Sequence, residues 1–421
     1  MTLIEPENSC LWESTSKEPL PECAEYTANK IYDVAIVGAG IMGLSTALHL
    51  SESGRSVIVI DAQHPGWGAS GRNGGQVQAG FGASLDKMCS DVDSSRKARI
   101  LEITNGATDH VFKLIHRHKI DCDPVQKGLL RGVHHPRLVA ANRAKADANS
   151  DLRFLDKQEA DDLIGAGMYH GAILDGRAGS INPAAYSRGL CRVASNAGAQ
   201  VLANTMVHDL DRASDGWALY TNQGTVQAGQ VVLATNAYSD SLQKGLMRTM
   251  VGVNSFQIAT SPIQDGPLAG GHIASDTRRL VFYFRRDTDG RLIVGGRGQQ
   301  DREGKIDAYS FLRNWIHRNF PKLGEAQVSH YWSGRVAITS DGIPHVHEPE
   351  PGLHIVAGFN GKGVALATAM GECLSERITQ DDPTLLGLQV TPIRQIPFWQ
   401  FRNIGVAAHV VLYRLLDNIG R

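Results

Sequence analysis

With 421 residues, 42% of them hydrophobic, the chain can bury a sizeable core and is long enough for two domains. Its formal net charge of −1 gives no reason to expect a nucleic-acid partner, and six scattered cysteines (Cys10, Cys23, Cys89, Cys122, Cys191 and Cys373) with no Cys-x-x-Cys pair indicate neither a disulfide framework nor a zinc site. The first thirty residues lack a basic start and an apolar signal core, and no span reaches the roughly 20 apolar residues a membrane-crossing helix needs, so a reducing cytoplasm is expected.

Residues 1–30 contain Pro6, Pro19 and Pro21 and read as an arm on the surface, with no function legible in them. The stretch Tyr32 to Asp61 then has every part of a βαβ unit that grips a dinucleotide. Tyr32 to Val37 suits a buried parallel strand, and Gly38, Gly40 and Gly43 open a helical pattern through Leu50. Gly38 permits a tight turn, Gly40 lets the backbone approach a pyrophosphate, and Gly43 lets helix and strand pack closely. A second strand, Ser56 to Ile60, ends at Asp61, which lies 61 − 40 = 21 residues beyond Gly40 and can accept a hydrogen bond from a ribose hydroxyl.

Directly after it, Gly66 to Gln76 reads GWGASGRNGGQ, five glycines with Ser70, Arg72, Asn73 and Gln76. Backbone N–H groups and one guanidinium at short range suit a second approach to a pyrophosphate or a flavin ring edge, at the carboxyl end of a parallel strand where ligands sit in such sheets. From Ser84 to Gly165 the pattern is mainly helical, with Ile100, Ile103, Ala107, Val111, Leu114 and Ile115 three or four apart. The pairs His116/His118 and His134/His135 have the wrong spacing for a metal and read as surface histidines.

A helix is expected to start at Asn182 with Pro183 in its first turn, followed by strands over 200–210 and 217–221 and a buried strand Gln230 to Ala237 that ends in Thr235 and Asn236. The chain thereby returns to the first sheet, an interrupted order that favours FAD over a nicotinamide cofactor. Leu280 to Arg285 and Arg291 to Gly296 flank Asp289-Gly290, a hairpin signal, with Tyr283 and Arg285 on one face and Phe282 and Phe284 on the other. Tyr283 and Arg285 can offer a phenol and a cation to a polar substrate; a structural salt bridge is the other reading of Arg285.

Gly352 to Arg377 forms a second glycine-rich strand-to-helix junction, with Gly358, Gly361 and Gly363. Its helix N-terminus suits the partial negative charge of a reduced isoalloxazine, with Lys362 reinforcing it or standing as a solvated loop lysine. Past Pro392, Phe398, Trp399 and Phe401 precede an amphipathic helix through Val406, Val410, Val411 and Leu415, expected to dock on the protein's own surface, with weak membrane-surface binding as the alternative.

Taken in order, the glycine loop with its acidic strand end, GASGRNGGQ, VVLATNAY, YWSGRVAITSDGIPHV and GFNGKG resemble the FAD-dependent glycine oxidase, D-amino acid oxidase and sarcosine oxidase superfamily, with nearest likeness to its γ-glutamylputrescine oxidoreductase-like branch. The likeness runs from about Trp12 to the final helix. It implies an α/β chain: a Rossmann-like FAD domain built from discontinuous segments (31–83, 166–240 and 334–383), and an α+β substrate domain with an antiparallel sheet (84–165 and 241–333). The arm (1–30) and a C-terminal segment (384–421) lie outside both.

By matching motifs, Gly38, Gly40, Ile41, Met42, Gly43, Asp61 and Ala62 would hold the ADP half. Gly68, Ala69, Ser70, Arg72, Asn73, Gly74, Gly75 and Gln76 would line the flavin's centre, and Val207 would contact adenine through its backbone. Thr235, Asn236, Gly334, Gly358, Gly361, Lys362 and Gly363 would complete the cofactor site, while Gln76, Tyr283, Arg285 and Trp332 would border the substrate, with Lys362 and Tyr283 in the catalytic roles.

Two departures from the family pattern matter. No cysteine lies between Cys191 and Cys373, and the glycine loop carries Arg72 and Asn73 where some relatives attach flavin through histidine, so noncovalent FAD is expected. Ala365 stands where the sarcosine branch has a carboxylate-holding lysine. The implied reaction is hydride transfer from the carbon beside an amine nitrogen to flavin N5, giving an imine that water hydrolyses. Its substrate would be a γ-glutamylated polyamine, a cyclic imino acid or a D-amino acid, and its electron acceptor O2 or a quinone. The alternatives are a nicotinamide-dependent dehydrogenase and a noncatalytic or tRNA-modifying flavin protein.

Overall fold

In the computed structural model, which describes residues 7–239, 242–298, 302–323 and 327–420, two eight-stranded sheets account for most of the strands. Pro6 of the arm and the expected segment boundary at 240 and 241 lie outside the described residues.

The first sheet runs in the order His345–His347, Leu353–Ala357, Gly224–Leu233, Ile31–Val37, Val57–Ile60, Gln200–Leu202. Every pairing along it is parallel except the one at the edge strand His345–His347. The apolar runs VIVI and LHIVA are buried along their whole length because helices cover one face and the strands Val207–Ala213 and Gly216–Thr221, with Leu246 and Met250, the other. Helix Ile41–Glu52, which follows the first glycine motif, lies beside helix Gly363–Gln380, which follows the second. Ser45 Oγ donates to the Thr368 carbonyl at 2.7 Å, and a Cβ at Gly371 would stand 2.6 Å from that of Ser45, so only glycine permits this approach.

The expected helix at 182 is present as Pro183–Asn196, its N-cap Asn182 accepting the Ala185 N–H at 3.0 Å. The long helix Ser94–His118, placed by sequence pattern with the second unit, buries Ile100, Ile103, Ala107 and Val111 in the core beneath the first sheet. Periodicity locates an apolar stripe but not the sheet it meets.

The second sheet runs Val328–Thr339, Met250–Thr260, Leu292–Arg297, Tyr283–Arg286, Ile273–Asp276, Leu129–Gly132, Ala172–Asp175, Leu152–Leu155 and is antiparallel except between Ile273–Asp276 and Leu129–Gly132. The expected hairpin is there: the Gly290 N–H reaches the Asp287 carbonyl at 3.1 Å. Phe256, Ile258, Ala274, Phe284, Leu292 and Val294 pack on one face against Trp315 and Phe320. Gly334, expected in the cofactor unit, lies within the first strand of this sheet.

Most of the described arm, including 19–20 and 27–30, lies on the surface as expected, but Cys10, Leu11, Trp12 and Glu18 are buried. Leu11 and Trp12 are fully buried in a cluster with Ala184, Ala259, Ile293 and Trp332, and Glu18 pairs with Arg192 at 2.6 Å. The polar, proline-rich stretch concealed two anchors from pattern reading, because a four-residue helix is too short to show periodicity.

Candidate active site

Both glycine junctions leave the carboxyl ends of parallel strands in one sheet with only Gly224–Leu233 between them, so they open on the same edge. At the first, Gly38 has φ 110° and its N–H reaches the Ile60 carbonyl at 2.8 Å. A Cβ at Gly43 would come 2.0 Å from the Gly38 carbonyl oxygen, and one at Gly40 would come 2.8 Å from Ser70 Oγ. Ser70 Oγ accepts the Ile41 N–H at 3.0 Å, which places the hydroxyl at the positive end of the helix where a pyrophosphate would lie. Met42 is buried in that first turn.

Asp61 accepts the Ala39 N–H at 2.6 Å and the Gln63 N–H at 2.9 Å, while Ala62 is exposed at the turn. Burial raises the Asp61 carboxyl above the usual range and the two N–H groups oppose it. The Thr205 N–H reaches the Asp61 carbonyl at 2.8 Å, setting the strand that begins at Val207 next to this end of the site.

The middle strand's exit joins the second junction directly: Asn236, held at φ 44° just after Thr235, accepts the Gly358 N–H on its side chain at 2.9 Å. Gly361 has φ 80°, and a Cβ added there would meet nothing within 4 Å; one added at Gly363 would meet only Phe359, at 3.9 Å. The cradle is therefore tight where helix meets strand and open where a ring would lie.

Several loop side chains are used by the protein itself. The Arg72 guanidinium donates from Nε to the Trp67 carbonyl at 2.9 Å and lies over that ring, with the Glu13 carboxylate 4.0 Å from its other end. Asn73 donates to the Ala69 and Ser70 carbonyls and accepts the Gly75 N–H at 2.8 Å. Gln76 donates to the Ala274 and Phe284 carbonyls, stitching the loop to the second sheet. Gly68 packs against Tyr238, and Gly334 lies over Ala69 and Arg72. These contacts hold the loop's backbone toward the ligand space, the role left for it once its side chains are engaged.

The second sheet roofs this loop. Register places Trp332, Gln257, Gly295, Tyr283, Ser275 and Arg131 in one row on the face opposite the Phe256/Phe284 core. Trp332 Nε1 donates to the Arg72 carbonyl at 3.0 Å, and Gln257 donates to the same oxygen at 2.6 Å. Tyr283 lies flat over Gly295, touches Gly74 and shares a 2.6 Å hydrogen bond with Ser255; burial lifts its phenol to about 12.

Arg285 is turned away from this row. It donates to the Ile181 carbonyl at 2.8 Å, touches Gly75 and stacks over Trp12; among the described residues it forms no salt bridge, and its Nε is buried without a partner at the edge of a cavity lined by Trp12, Asn182 and Asp287. Burial lowers it to about 10.

Lys362 caps the second helix, and its Nζ donates to the Ala79 carbonyl at 3.2 Å just beyond the glycine loop. Burial first, then the charge of Arg131, pushes it down to about 8. Arg131, on the roof row, was missed by sequence reading, since one arginine in an LLRG strand carries no motif. Its nearby carboxylates are occupied, Asp175 by Arg177 and Asp276 by Arg278, and among the described residues its guanidinium has no ion pair.

Away from these loops, His49 and His110 share the Glu372 carboxylate at 3.6 and 3.5 Å. His110 Nε2 is buried there without a partner.

Residues 33–377 match the family model described as FAD dependent oxidoreductase. The chain belongs to this family, and its cofactor is FAD. It is 32% identical over 352 residues to a probable oxidoreductase OrdL of Rhizobium meliloti (strain 1021), covering 82% of each chain. It is 26% identical to the γ-glutamylputrescine oxidoreductase of Escherichia coli (strain K12), covering 92% of this chain and 93% of that one. The crystal structure of glycine oxidase from Geobacillus kaustophilus superposes with a TM-score of 0.72 at 22% identity, covering 87% and 99% of the two chains, which shows a shared fold. The glycine cradle is compatible with FAD, since Gly40, Gly43, Ser70 and Asp61 stand together at one helix N-terminus and strand end, where an adenylate half would fit, and the backbone at Gly361 is open.

Proposed function

We propose that this FAD-dependent oxidoreductase oxidises the C–N bond of a small amine or amino acid that also carries an anionic group. Bound FAD supplies the chemistry by accepting the hydride equivalent from the carbon beside nitrogen. The chain's residues have the remaining tasks. Gly38, Gly40, Gly43, Ser70 and Asp61 would hold the adenylate half, and Gly361, Lys362 and Gly363 the pyrimidine edge. Trp332, Gln257 and Tyr283 close the roof and exclude water, which favours the neutral amine as the reactive form.

The observation that carries the substrate class is Arg131. A largely buried guanidinium on the roof row, within electrostatic reach of Lys362 and with its neighbouring acids also paired to Arg177 and Arg278, would suit a carboxylate, because a buried charge without its own ion pair is costly until an anion joins it. The name of the γ-glutamylputrescine relative, an amine joined to a γ-glutamyl group, is consistent with such a substrate. Anaerobic titration of the yellow protein against a panel of amines with and without carboxylates tests the reading. Bleaching of the flavin band by carboxylate-bearing amines supports it; a panel that leaves the band unchanged, or bleaching by plain amines alone, ends it. Release of peroxide under air distinguishes O2 from a quinone as acceptor.

A further inference from the structure

The carboxy-terminal helix Arg402–Ile419 is fastened to the body at both ends. At its start Trp399 Nε1 donates to the Met250 carbonyl at 2.9 Å. At its end Asp417 accepts the Arg279 and Leu280 N–H groups at 2.8 and 3.2 Å, and its carbonyl is 3.1 Å from His134 Nε2, so this histidine belongs to an anchor and not to the surface set expected for it.

Between these anchors Val406 and Val410 face inward, while Ile404 (69% exposed), Val411 (59%), Leu412 (48%), Leu415 (59%) and Ile419 (45%) face water, with Phe401 and Phe398 (77%) continuing the same surface. Spacings of three and four put 404, 408, 411, 415 and 419 on one stripe, turned away from Val406, Val410 and Asp417. The expectation that this apolar face docks on the protein itself therefore holds only for Val406 and Val410.

No Asp or Glu occurs between Asp382 and Asp417, a segment that contains Arg394, Arg402 and Arg414, and Asp417 is itself buried. We propose that this helix lies in the headgroup region of a membrane rich in anionic lipid, with its apolar stripe down and its arginines at the phosphates. No helix is long and apolar enough to cross a membrane, so the element would lie in the plane of the surface. A second copy of the chain fits less well. It would cover the apolar stripe but bring Arg394, Arg402 and Arg414 no acid from the same segment, since none occurs from 383 to 416.

Flotation of the full-length holoprotein with vesicles of phosphatidylcholine alone, or mixed with phosphatidylglycerol, tests this. The protein should float with the mixed vesicles about tenfold more strongly than with the neutral ones, and added salt should reduce the difference. Leu412→Glu with Leu415→Glu should abolish flotation while leaving the flavin spectrum and amine oxidation with a soluble acceptor unchanged, and Arg402→Gln with Arg414→Gln should weaken it. Failure of the wild type to float with the mixed vesicles, flotation that survives the double glutamate variant, or a solution dimer that this variant splits without any lipid capture overturns the proposal.

Discussion

Trp332 and Arg72, 260 positions apart, are joined by an indole N–H donated to a backbone carbonyl at 3.0 Å. This bond and its companion from Gln257 fix the second sheet to the glycine loop 66–76. Trp332→Phe keeps the ring contact with Trp12 and removes the donor. Losing one net hydrogen bond of about 1 kcal/mol should weaken FAD binding roughly fivefold, read by flavin fluorescence on titrating apoprotein. Unchanged affinity would show that Gln257 alone holds the carbonyl.

Gly43→Ala brings a Cβ to within 2.0 Å of the Gly38 carbonyl, a backbone atom that cannot move without opening the phosphate turn. The variant should purify without colour. Gly361→Ala meets no protein atom within 4 Å, and its cost is the φ of 80°, about 1 kcal/mol, so it should fold and bind FAD more weakly than wild type.

Lys362 has a pKa lowered by burial from its ordinary 10.5 to about 8. Between those values the unfolded chain holds a proton that the folded chain has released, so the group's contribution to stability rises as pH increases from about 8 to 10.5. Below pH 8 the buried charge opposes folding. Lys362→Met should remove this slope, visible in thermal melts across that window. If the cation also serves the reaction, wild-type turnover should fall as pH passes about 8, and the variant should lack that limb.

Arg131→Met should raise KM for a carboxylate-bearing amine by about tenfold or more, with kcat and the KM of an uncharged amine little changed, the scale expected for one charge-assisted contact. Equal losses on both substrates would assign Arg131 to the sheet and not to the ligand.

Attachment of FAD is testable by acid precipitation, with the yellow colour expected in the supernatant. Cys10 reaches the glycine loop, its Sγ 3.7 Å from the Gly71 carbonyl, but burial pushes its thiol to about 12, which leaves little thiolate.

The cofactor half of the fold was legible because its chemistry demands fixed spacing: Gly38, Gly40, Gly43 and Asp61 cannot slide relative to one another, and the Asn182 cap and the Asp289-Gly290 turn are equally local. The substrate half was not. Tyr283 and Trp332 are placed by resemblance, yet whether a side chain is engaged by a carbonyl depends on long-range packing, which is why the bonds that Arg72, Asn73 and Arg285 make to backbone carbonyls had no local signal. Arg131 gave no local signal at all, because its significance lies in two acids that pair with other arginines. Trp12 was hidden by its polar surroundings.

The first sheet takes its central strands from residues 31–60, 200–233 and 353–357, and the cradle is finished only by the glycines near 363. During synthesis, therefore, the early βαβ unit waits 200 − 60 = 140 residues for the first of its flanking strands, and 363 − 60 = 303 for the helix that packs beside its own. Flavin capture is a late event in the life of each nascent molecule, and a chain cut short before the last of these strands would leave the ribosome with half a cradle and an exposed apolar edge, a substrate for chaperones and not for the cofactor.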